Sequence, residues 1–214
     1  MKRRLTLVIA LGVIVGPLSF ASVASASYNG SAAASYADLW AQSFNYLVYN
    51  TFPSDDCTNF VSQAMASNGF PIVRGLWTNT NTFYNDTLAN YNNSPTLQSE
   101  DGREESVSAT VADDLFNYFL AGSGTLVGSY SYPVNGPAPS YMPASIVKGD
   151  VLFYDWGTGL GVSHASMMVG SGTDSAGYVG DWIDQHSNFE YHEFWTLKEN
   201  NPNWETTTVY YFHI

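Results

Sequence analysis

Residues 54–69 read SDDCTNFVSQAMASNG. Within them Cys57, Phe60, Val61, Ala64 and Met65 fall at i, i+3, i+4, i+7 and i+8, which is one apolar stripe of a helix. Ser54 or Asp55 is placed to cap the start, and Gly69 to take the left-handed position just past the end. Cys57 therefore belongs to the first turn of a buried helix, where free amide groups and the helix dipole favour a thiolate. Asp55 and Asp56 act in the opposite sense, as like charges that raise a thiol's pKa. For Cys57 to serve as a nucleophile, a cationic partner is needed.

Before this helix, residues 27–50 become helix-like from about Ala33, with Tyr36, Leu39, Trp40, Phe44 and Leu47 spaced as a packing face. Residues 71–103 are rich in Asn, Thr and Ser with Trp77, Phe83, Tyr84 and Tyr91 interleaved, and read as ordered loops able to rim a cleft. Ser106 to Leu120 is helical again, and 122–149 is a Gly, Ser and Pro rich connection. Beyond Gly149 the pattern turns to strand: Asp150–Trp156, Val162–Val169, about Tyr178–Phe189, and Thr206–Ile214. Gly157-Thr158-Gly159 and Gly170-Ser171-Gly172 read as the turns between them. Helices first and an antiparallel sheet afterwards define an α+β domain, with the N-terminal helices carrying Cys57 onto the sheet.

Ahead of this domain, Lys2-Arg3-Arg4, an apolar run from Leu5 to about Phe20 and Ala24-Ser25-Ala26 have the layout of a secretory signal peptide cleaved after Ala26. The expected division is a signal peptide at 1–26 and a single domain at 27–214, secreted, with no further membrane-spanning run. Without Lys2, Arg3 and Arg4, four of the seven fixed cations remain against 19 acids, a charge of about −15. A surface of that sign repels nucleic acid. An exported chain normally has paired cysteines or none, and this one has a single cysteine.

Four histidines, at 164, 186, 192 and 213, are candidates for the base that takes the thiol proton. His164 lies in VSHASMMV (162–169), where strand alternation points His164, Ser166 and Met168 to one face. A third group must fix the tautomer of the base. Asp184, His186 and Asn188 alternate along DQHSN (184–188), and any of the three could take that role. Asp56 and Asn59 read as supporting groups at the helix start, and Trp77 as a candidate cleft residue.

Taken in order, DCTNFVSQ (56–63) followed by Asn68-Gly69, then Gly149-Asp150-Val151 leading to Ser163-His164-Ala165-Ser166, then His186-Ser187-Asn188, resemble the family described as "Putative amidase domain". That family is similar to the papain-like cysteine peptidases and to the NlpC-type and CHAP hydrolases of bacterial cell walls. The resemblance implies a papain-like fold, Cys57 as nucleophile on a helix, His164 as base on a strand and His186 as the polar third residue. It also implies a peptide or peptidoglycan-like substrate, no cofactor and no metal, with the protein outside the cell, in contact with the wall, and monomeric.

Two other classes compete. A zinc amidase could draw ligands from His164, Asp184, His186 and His192, although no helical HExxH spacing is present. A catalytically silent wall-binding module on the same scaffold would use the Tyr-rich loops for stacking.

Overall fold

The computed structural model describes residues 27–100, 102–132 and 134–214. The proposed signal peptide lies outside the described residues. Among those described, no helix is long and apolar enough to cross a membrane.

The helices are α1 (Gly30–Trp40), α2 (Cys57–Ala66), α3 (Leu88–Asn92), α4 (Pro95–Glu100), α5 (Val107–Thr110) and α6 (Ala112–Tyr118). The strands are β1 (Thr125–Ser131), β2 (Val151–Asp155), β3 (Val162–Thr173), β4 (Val179–Gln185), β5 (Glu190–Phe194) and β6 (Thr208–His213). They form one antiparallel sheet in the order β1-β6-β2-β3-β4-β5, so the fold is α+β as expected.

Strand alternation gives the sheet two buried faces, each with its own core. Val151, Phe153, Ala165, Met167 and Val169 meet the helices through Phe60, Val61, Ala64, Met65 and Leu115. On the opposite face, Leu152, Tyr154, Met168, Ile183, Val209 and Tyr211 pack under Met142, Ile146, Trp195 and Trp204, which come from irregular segments. The sheet is thus covered on both sides, and its central strands read as near-continuous apolar runs.

Helix α2 follows the reading closely. Its stripe is buried, and Gly69 takes φ 89° at its end. The capping assignment is corrected: the N-cap position is Asp56, whose side chain makes no capping bond. Its Oδ1 instead accepts hydrogen bonds from Phe52 N at 2.8 Å and Asn59 Nδ2 at 2.8 Å.

Helix α1 departs more. It starts at Gly30 with an Asn29 side-chain cap, ends at Trp40, and buries Ala33, Ala34 and Ala37. Leu39 and Leu47, assigned to the packing face, are 70% and 80% exposed. Small residues win because α1 lies close to its neighbours: a Cβ on Gly149 would sit 2.2 Å from Gly30 Cα. The helix expected over Ser106–Leu120 is broken at Val111, which is extended at φ −113°, ψ 125°. The β-branched pair Thr110-Val111 weakens helix propensity at that point.

Three strand readings also change. β1 was hidden in the connecting region. The segment expected over Tyr178–Phe189 is the first arm of a β4–β5 hairpin, turned at 186–189 with Ser187 and Phe189 at positive φ. And β3 continues through Gly170-Ser171-Gly172, which is not a turn, with its pairing to β4 shifting register between Met168 and Gly170. A Cβ at Gly172 would lie 2.1 Å from the Trp182 ring, so the missing side chain makes room for a cross-strand tryptophan.

Candidate active site

Cys57 is the first residue of α2 and His164 the third of β3, and the packing of α2 on β3 brings the two together. Cys57 is 7% exposed. Burial pushes its thiol pKa up; the charge and hydrogen bond of His164, the Ala165 N–H and the Thr58 hydroxyl more than offset this and bring it down to about 7. The Thr58 Oγ1 is 3.6 Å from the sulfur.

The His164 ring stacks on Trp156 at a centroid distance of 5.4 Å and lies beside Tyr154. Tyr154 is itself fixed, its hydroxyl bonded to Ser166 Oγ at 2.9 Å and to the Trp195 carbonyl at 2.8 Å. His164 opens onto a cleft of about 360 Å³ lined by Ser54, Asp55, Trp156, Gln185, Asn188 and the 200–203 loop.

Asp184, His186 and Asn188 do not share one face, because the chain turns at 186–189. Met168 pairs with Ile183 and Tyr154 with His164, so His164, Met168 and Ile183 share the face away from the helices. Along β4 the residue of the same parity as Ile183 is Gln185, whereas Asp184 and His186 point to the helix face. His186 is buried beneath α2, stacked on Phe60 at 4.1 Å. Its Nδ1 is 2.6 Å from Asp56 Oδ2 and its Nε2 is 2.9 Å from the Trp40 carbonyl. With both ring nitrogens facing acceptors, His186 has none left to receive a hydrogen bond from His164.

Asp184 is also turned away, its Oδ1 accepting the His192 N–H at 2.7 Å. Asn188 does line the cleft. Gln185 lines it as well; alternation shows which residues share a face but not which face His164 occupies. In the cleft wall, His164 Nε2 and Gln185 Oε1 are both buried and have no hydrogen-bond partner among the described residues.

Asp56 and Asn59 are both tied into the chain around the start of α2. Asn59 Nδ2 also donates to the Asn50 carbonyl at 2.9 Å, while its Oδ1 accepts from Asn85 Nδ2 at 2.7 Å. Trp77 lies in an adjoining hollow with Phe52, Pro53 and Arg103, and the Arg103 guanidinium stacks over its ring at 4.9 Å. Ser54 and Asp55 form the wall shared by this hollow and the cleft. The four ligands considered for a zinc amidase are divided between the two faces of the sheet: His164 on one, and Asp184, His186 and His192 on the other.

An α+β domain that sets a thiol at a helix start against a strand-borne imidazole, with an open cleft beside them, has the outline of an amide-bond hydrolase. Comparison with known families agrees: residues 27–210 match the family described as "Putative amidase domain", and the chain belongs to that family. Neither the curated proteins nor the solved structures give a match. Family membership carries the coarse activity, hydrolysis of amide bonds.

Proposed function

We propose that this protein is an exported cysteine hydrolase that cleaves amide bonds of peptidoglycan-type peptides through an acyl-thioester. The observation that carries the reading is the placement of the lone cysteine at the start of α2 against His164, which lines an open cleft, with the thiol pKa brought down to about 7.

In this mechanism His164 takes the thiol proton and the sulfur attacks the substrate carbonyl. Backbone N–H groups at the start of α2, which have no partner within the helix, face the oxyanion. The imidazolium then gives its proton to the leaving amine, leaving an acyl group on sulfur. Water deprotonated by the same ring attacks that thioester and regenerates the thiol.

We assign the orienting role to Gln185, whose side-chain oxygen would accept the His164 Nε2 proton and hold Nδ1 toward the sulfur. A neutral amide fixes the tautomer without trapping the ring as a cation, as a carboxylate would. His186 and Asp56 are then a buried pair that anchors the start of α2.

Export rests on the composition of residues 1–26, and the wall-peptide substrate on the resemblance to cell-wall hydrolases. The test is mass spectrometry of muropeptides incubated with the protein and with Cys57→Ala. New amine termini from the native protein alone support the reading. Equal product from both, or none from either across a panel of wall peptides, overturns the assignment of Cys57 or of the substrate.

A further inference from the structure

On the helix face of the sheet, apart from the cleft, Asp38 of α1, Asp184 of β4 and His192 of β5 each offer a donor atom, and the three atoms lie within 4.8 Å of one another. We propose that these three side chains form a divalent-cation site of the zinc type that ties α1 to the β4–β5 hairpin.

The chemistry of the set favours zinc over calcium or magnesium. Imidazole nitrogen with two carboxylates suits a borderline cation, whereas the hard cations take oxygen donors alone. Tetrahedral zinc with bonds of about 2.0–2.2 Å places its donors about 3.4 Å apart, so the three side chains need only a small adjustment.

A second observation points to a ligand. Asp184 is fully buried, and while its Oδ1 accepts the His192 N–H, its Oδ2 has no donor among the described residues and its carboxyl lies against that of Asp38. A buried carboxylate oxygen without a donor, beside a second carboxylate, is costly unless a cation or proton joins them. Lys148 lines the same hollow but makes no ion pair with either acid among the described residues. The His192 ring is held by stacking between Trp182 at 4.4 Å and Tyr191 at 3.8 Å, with Nε2 on the Asp38 carboxylate at 2.8 Å. A ligand ring fixed in this way loses little freedom on binding. The fourth position opens to a hollow of about 490 Å³ bordered by Lys148, Gly170 and Ser171, where water can complete the tetrahedron.

The catalytic thiol is itself a zinc ligand, so the test is made on protein carrying Cys57→Ala. After stripping with chelator, calorimetric titration with zinc chloride is expected to show one ion per chain. The melting temperature should rise by about 5 °C at a hundredfold excess over Kd. Asp184→Asn, His192→Gln and Asp38→Asn, each added separately, should weaken binding at least about tenfold. Asp38 is the half-exposed member, so its variant tests the site even if loss of the buried carboxylate impairs folding. Absence of zinc uptake overturns the proposal and leaves a shared proton as the bond between the two carboxyls. Uptake that Asp38→Asn and His192→Gln leave unchanged places the ion elsewhere and overturns it too.

Discussion

Gln185 and His186 are adjacent and buried, yet their substitutions should fail in different ways. Gln185→Ala removes the group assigned to hold the His164 tautomer, and is expected to lower kcat by about 10²-fold with little change in KM or melting temperature. Gln185→Glu should restore turnover in part while moving the acid limb of the pH profile, because a carboxylate also orients the ring but favours its charged form. His186→Ala removes the imidazole partner of a buried carboxylate, Asp56, which keeps only its bonds from Phe52 N and Asn59 Nδ2, and should destabilise the fold by about 3 kcal/mol. Thermal melts and steady-state kinetics on the three variants separate these outcomes; a stable His186→Ala protein with crippled kcat would return the third role to His186. At this scale the sequence singles out Cys57 and His164 but not Gln185. Cys57 and His164 stand out by residue type and by their elements, whereas the choice among residues 184–188 depends on which sheet face holds the base, a fact fixed by pairing between β3 and β4.

Among the elements, α2 was legible because its stripe is long, apolar and closed by a glycine, so local preference and tertiary packing agree. Helix α1 follows the reading in part: Tyr36 and Trp40 pack against the core as their spacing implies, but Leu39 faces out, because the close approach to the 148–149 turn and to β3 gives the buried face to Ala33, Ala34 and Ala37. Ala37→Leu should therefore overpack that contact and cost about 1–3 kcal/mol, read as a lower denaturation midpoint with unchanged m. A neutral result would mean that α1 stands off the sheet. β1 escaped notice as a half-exposed edge strand with a glycine at its centre, whose pairing with β6 shifts register between Leu126 and Gly128. The Gly170-Ser171-Gly172 triplet misled because glycine marks close approach as well as turns. Gly172→Val is expected to displace Trp182 and lower the melting temperature by several degrees, and retention of the native value would contradict the packing at that position.

Over the whole molecule, 19 acids are set against seven fixed cations, and burial raises the pKa of Glu105, Asp150, Asp181 and Glu190. A carboxyl whose folded pKa exceeds its unfolded value of about 4 contributes stability that is complete below that pH and is lost as pH rises through the folded value. Cys57 runs the other way, its depressed thiol adding stability above the unfolded thiol value of about 8.5 that is lost as pH falls through about 7. Four carboxyls and the overall negative charge outweigh one thiol, so melting in chelator-containing buffer should occur at higher temperature at pH 5 than at pH 8. The reverse order would show that the buried acids are better compensated than their surroundings imply. The proposed function depends at this scale on α2 and β3 arriving together, so that His164, with the Ala165 N–H and the Thr58 hydroxyl, offsets the burial of Cys57. The pH dependence of iodoacetamide alkylation of Cys57 measures that directly. The rate should titrate with a midpoint near pH 7 in the native protein and shift upward in His164→Ala; a midpoint at or above about 8.5 in the native protein, unmoved by His164→Ala, would contradict the assignment of this pair.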